Sequence, residues 1–179
     1  MKNHSFIFAG QTLTFKFPVD RVLETCSYKA PVVIGHTIDQ ESQQFTRSPY
    51  WLQCPHLIQS INRIESRGWI QVLQDWLYGP AKAQWVSFTK DVPRLLKHSL
   101  SEEYFKVLEE EGRANIGGVQ DPMRIKCLHA HYSFYAVHKV GFVGRFVHGL
   151  ILWNKQRNQL GESVYCNVSN LECELGKND

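Results

Sequence analysis

Residues 54–80 read CPHLIQSINRIESRGWIQVLQDWLYGP, and the spacing of apolar residues in this stretch decides the fold class. Leu57, Ile58, Ile61 and Ile64 recur three and four apart, the period of one face of an α-helix. Pro55 suits the first helical position, where its missing N–H is not needed, so the helix opens directly after Cys54. Gly68 interrupts the pattern, which resumes with Trp69, Ile70, Leu73, Trp76 and Leu77 until Gly79-Pro80 ends it. Two short helices in tandem are therefore predicted.

Upstream of Cys54 the period is different. Phe6–Phe8 and Leu13–Phe17 are rich in aromatic and aliphatic residues, the second alternating at Leu13, Phe15 and Phe17, as strands do. Residues 21–26 and 31–37 are expected to pair as a hairpin across Ser27–Ala30, with 45–53 as a third strand of a small antiparallel meander. Downstream, 81–98 fits neither period: Trp85, Val86 and Phe88 look strand-like, whereas Val92, Leu95 and Leu96 look helical. Ser99 with Glu102 three residues on has the form of a capping box for a helix carrying Tyr104, Phe105 and Leu108. Gly112, Gly117 and Gly118 mark a loop, and Asp121-Pro122 predicts the start of a helix running to about Lys139. A further apolar segment spans 142–153. The expectation is an α+β fold in one domain over 1–179, with 1–53 mainly strands, 54–153 mainly helices and 154–179 a polar tail.

Composition narrows the function classes. The 179 residues are 43% apolar and 21% charged, the balance of a chain that builds its own core. Twenty Lys and Arg against seventeen Asp and Glu give a net charge of +3, far from the concentrated basic stripe that nucleic-acid backbones select. The longest apolar run, Gly141–Trp153, is interrupted by Arg145 and His148 and is too short for a membrane span. The N-terminal patch Phe6–Ala9 is too short for the apolar region of a signal peptide, so a cytoplasmic location is expected. Five cysteines, Cys26, Cys54, Cys127, Cys166 and Cys173, are an odd number at wide spacings, which argues for free thiols rather than a disulfide framework.

Two places carry chemistry. Cys54 stands at a helix start, where unpaired backbone N–H groups and the positive end of the dipole favour a thiolate. The second is Lys126-Cys127-Leu128-His129-Ala130-His131. On a helix running through it, Cys127 and His131 lie four apart on one face and form half of a zinc site, while His129 shares the opposite side with Lys126 and Ser133. If the segment is not yet helical at Cys127, that face argument lapses and Cys127, His129 and His131 are all available. Glu65 becomes an acid or base only if buried near the cysteines. Arg124, Lys126 and Arg145 would suit a small anionic ligand. No Gly-x-Ser-x-Gly elbow, His-Glu-x-x-His helix or paired Cys-x-x-Cys occurs.

At these residues the chain resembles a bacterial family, domain of unknown function 501. The resemblance runs through Cys26-Ser-Tyr-Lys-Ala-Pro31, Trp51-Leu-Gln-Cys54-Pro55, Ile61-Asn-Arg63-Ile-Glu65, and Asp121-Pro-Met-Arg-Ile-Lys126-Cys127-Leu-His129-Ala-His131, and continues to Gly144-Arg145-Phe146. It implies that Cys26, Cys54, Cys127 and His129 matter together and implies no activity. One arrangement reconciles it with the face argument: Cys26, Cys54, Cys127 and His131 hold a metal, zinc by preference and iron as the alternative, while His129, Lys126 and Glu65 serve a substrate. The competing expectations are a metal-free thiol enzyme with Cys54 as nucleophile and His129 or His131 as its base, and an interaction module whose cysteines only pack the core.

Overall fold

The computed structural model describes residues 4–8, 11–26, 29–156, 166–167 and 172–173. Antiparallel strands come first and six helices follow, as the change of period at Cys54 predicts. β1 (His4–Phe8) and β2 (Gln11–Phe15) form one hairpin. β3 (Val19–Thr25), β4 (Pro31–His36) and β5 (Tyr50–Leu52) form a three-stranded sheet in that order. Val32, Val33 and Ile34 are all buried, so the central strand is covered on both faces. The third strand is shorter than the expected 45–53. Asp39 turns the chain before it, accepting the backbone N–H of Glu41 and of Ser42 on its carboxylate.

The helices are α1 (Pro55–Glu65), α2 (Trp69–Tyr78), α3 (Lys82–Ser99), α4 (Glu102–Glu110), α5 (Leu128–His138) and α6 (Phe142–Gln156). α1 and α2 begin and end where the sequence places them. The ambiguous stretch 81–98 is the longest helix, α3, which buries Trp85, Val92 and Leu96. The expected capping box is corrected: Ser99 is the last residue of α3, its hydroxyl bonded back to the Leu95 carbonyl at 3.3 Å, and Ser101 is the N-cap of α4. The helix expected from Asp121 is corrected too. Residues 121–127 are non-helical, and α5 starts only after Cys127, an N-cap in extended conformation. Long-range bonds hold this segment open. The Gln74 side chain accepts the Ile125 N–H at 2.8 Å and donates to the Met123 carbonyl at 2.7 Å, and the Trp85 indole N–H donates to the Pro122 carbonyl at 3.2 Å.

α5 is the central element. Leu128, Ala130, His131, Tyr132, Phe134 and Ala136 are buried all around it, so it is enclosed rather than laid on a surface. α6 packs directly on α5 at Gly144, where a Cβ would stand 2.3 Å from the His131 carbonyl oxygen. A Cβ at Gly118 would stand 1.7 Å from the Arg47 carbonyl oxygen, and φ there is +67°, so the glycine loop before α5 presses on the segment leading into β5. The expected polar tail lies mostly outside the described residues. Within it, β6 (Cys166–Asn167) pairs antiparallel with β7 (Glu172–Cys173). Among the described residues no helix is long and apolar enough to cross a membrane.

Candidate metal centre

Glu65 is the last residue of α1, and Cys127 and His129 stand at the N-terminus of α5. The fold brings one donor atom from each of the three to within 4.8 Å of the others, all half-buried. Glu65 organises the group. Its Oε1 accepts the backbone N–H of Leu128 at 2.6 Å, a donor in the first turn of α5 that no carbonyl of the helix itself can satisfy. The same oxygen lies 3.3 Å from His129 Nδ1. The other ring nitrogen, Nε2, lies 3.4 Å from the Ile58 carbonyl on α1. The imidazole is thus held edge-on between α1 and α5.

The environment of Cys127 acts on its sulfur in both directions. Burial pushes the thiol pKa up. The Ala130 and His129 N–H groups face the sulfur without making a capping bond and, with the Lys126 ammonium, favour the thiolate; the Glu65 carboxylate opposes it. The net shift is upward. A thiol beside a carboxylate keeps its proton unless a cation comes between them.

His129 and Cys127 open on a cleft of about 360 Å³. One wall is Tyr50, Trp51 and Leu52 of β5, and Ile58 of α1 closes one side. The α5 side supplies Lys126, Cys127, His129, Ala130 and Ser133. Its volume falls in the range of small-molecule sites.

The remaining residues singled out by sequence lie elsewhere. Cys26 is buried at the end of β3, its N–H donating to the Ala30 carbonyl in the turn to β4. Cys54 is the N-cap of α1, as predicted, and is buried in the core. His131 is fully enclosed, its ring 5.8 Å from that of Trp85, and burial lowers its pKa to about 4. Among the described residues, no group of three ligating side chains includes Cys26, Cys54 or His131. The three basic residues are likewise dispersed. Lys126 lines the cleft, Arg124 lines a small cavity with His131, and Arg145 flanks a surface groove with Trp76 and Phe146. The sequence did not place Trp51 or Ile58 at a site; they reach the cleft through the packing of β5 and α1 on α5.

An α+β protein with a Cys-His-Glu cluster beside a cleft is what these elements define. The chain belongs to the family of proteins of unknown function DUF501, which it matches over residues 22–149. That match spans both halves of the cluster. No curated protein and no solved structure is significantly similar to the chain.

Proposed function

We propose that this protein binds one zinc ion through Glu65, Cys127 and His129, with the fourth coordination position open to the cleft. The observation that carries the reading is the convergence of the three donor atoms within 4.8 Å, two of them on the cleft-lining Cys127 and His129. Tetrahedral zinc sets its oxygen and nitrogen ligands roughly 3.3–3.4 Å apart, given metal–ligand bonds of about 2.0–2.1 Å. The His129 Nδ1 to Glu65 Oε1 separation is 3.3 Å. A thiolate and a carboxylate supply two negative charges, which a divalent cation neutralises, and a neutral imidazole completes a mixed donor set that suits zinc over calcium or magnesium. Three protein ligands and an open position are the arrangement of hydrolytic zinc, in which the ion acidifies a bound water. Cys26, Cys54 and His131, buried apart from the cluster, serve the core in this reading.

The test is metal content by plasma mass spectrometry of protein purified without chelator, together with the absorption of the cobalt-substituted form. About one zinc per chain is expected. Cys127→Ser and His129→Ala should lose it, and Cys127→Ser should also lose the thiolate-to-cobalt charge-transfer band, while Cys26→Ala keeps both. Wild-type protein from zinc-supplied cells that carries no metal and gives no cobalt spectrum would refute the reading.

A further inference from the structure

Ser133 lies one helical turn beyond His129 on the same face of α5 and lines the cleft. It is 0% exposed, and among the described residues its Oγ has no hydrogen-bond partner. A helical serine ordinarily bonds back to the carbonyl four residues earlier, as Ser99 does, or turns its hydroxyl to water. A buried hydroxyl that does neither is a cost to the fold which calls for a partner from outside the chain.

Charge indicates the nature of that partner. Among the described residues that line the cleft, Lys126 alone carries a fixed charge. The residue is exposed, and its ammonium donates to the Gly117 carbonyl at 3.4 Å. A zinc ion with one thiolate, one carboxylate and one neutral imidazole sums to zero, so Lys126 sets the sign of the cleft with the metal bound. The rest of the wall sets apolar Trp51, Leu52, Ile58 and Ala130 beside the hydroxyl-bearing Thr46, Ser48 and Tyr50.

We infer that the cleft takes a small organic anion, a carboxylate or a phosphate monoester with an apolar body, one of whose oxygens accepts the Ser133 hydroxyl while Lys126 balances its charge. The apolar body lies against Trp51 and Ile58. Residues four apart on a helix have Cβ atoms about 5–6 Å from each other, so the anionic group sits about one turn from His129. This deepens the zinc reading by naming the substrate class, and it rests on that reading only for the reacting end of the ligand.

The test uses three probes with one ring: benzoate, phenyl phosphate and the neutral benzyl alcohol. Each is titrated at millimolar concentration into zinc-loaded and chelator-stripped full-length protein, with ligand-observed NMR as readout. At least one of the two anions should bind, and whichever binds more tightly identifies the group; benzyl alcohol should bind at least about tenfold more weakly. Ser133→Ala should weaken the anion at least about tenfold. It should also raise the Tm of the probe-free protein by about 2–4 °C, because an unsatisfied buried hydroxyl has been removed. Lys126→Gln should weaken the anion and flatten its salt dependence. The inference fails if neither anion binds, if the alcohol binds as well as the anions, or if Ser133→Ala leaves affinity unchanged or lowers Tm. Anion binding that depends on Ser133 in a protein carrying no metal would uphold this inference and remove the zinc reading; zinc without anion binding would do the reverse.

Discussion

His36 shows how a single buried side chain couples stability to pH. It is fully enclosed between the rings of Phe17 and Trp51, with Nδ1 2.9 Å from the Pro18 carbonyl and Nε2 without a partner among the described residues. Burial lowers its pKa from 6.5 to about 4, the Pro18 bond opposing the shift. The unfolded chain therefore binds the proton more tightly than the native one. The resulting stability is fully present above about pH 6.5, declines as the pH falls, and is exhausted near pH 4; one such histidine contributes up to about 3 kcal/mol. Urea unfolding at a series of pH values should show this loss, and His36→Asn, which keeps a donor for Pro18, should flatten the profile between those limits. A variant whose profile is as steep as wild type would place the acid sensitivity elsewhere. At the same scale, the site was half legible. Lys126-Cys127-Leu128-His129 could be picked out by its residue types. Pairing Cys127 with His131 required helical geometry at Cys127, and that geometry is denied by Gln74 and Trp85, side chains far away in sequence. With Cys127 in extended conformation, His129 and Glu65 are its neighbours instead.

At the scale of elements, the strand-to-helix change at Cys54 and the break at Gly68 were readable because the local pattern and the final structure agree there. Residues 81–98 were not. Pro93 removes one N–H from the interior of α3 and mixes the signal, yet burial of Trp85, Val92 and Leu96 holds the helix together. α6 offers a controlled comparison between two of its own glycines. A Cβ at Gly144 would meet the α5 backbone at 2.3 Å, whereas one at Gly149 would meet nothing within 4 Å. Gly144→Ala should force α6 away from α5 and destabilise the protein by about 3 kcal/mol, the upper end for overpacking. Gly149→Ala should stabilise it by about 0.5–1 kcal/mol through helix propensity alone. Thermal melts of the pair decide the point, since equal shifts of the same sign would mean that the two helices do not approach at Gly144. Under the zinc proposal Gly144→Ala should also weaken metal retention, because α6 braces α5, at whose N-terminus Cys127 and His129 stand.

For the molecule as a whole, the family match begins at residue 22, after the β1–β2 hairpin. That hairpin is tied to the rest through His4, whose Nδ1 lies 3.2 Å from the Asp39 carboxylate and whose Nε2 lies 3.4 Å from the Gln44 side chain. Both of these ties are to a surface turn, and β1 also lies against β3. Removal of residues 1–16 should leave the helical circular dichroism and the zinc stoichiometry intact and lower Tm by no more than about 4 °C. Loss of metal on this truncation would show that the hairpin supports the site. The two halves of the proposed centre lie on helices far apart in the chain, and the shortest of the contacts that join them is the Leu128 N–H to Glu65 Oε1 bond at 2.6 Å. Its acceptor is also a proposed zinc ligand, so a cation at the cluster draws electron density from the oxygen on which that amide proton rests. That proton should resonate downfield in the metal-free protein and move upfield if zinc binds, which amide spectra recorded before and after zinc is added would read. Under the zinc proposal Leu128 would then serve as an internal gauge of occupancy, readable one amide at a time in a protein carrying no added label at the site.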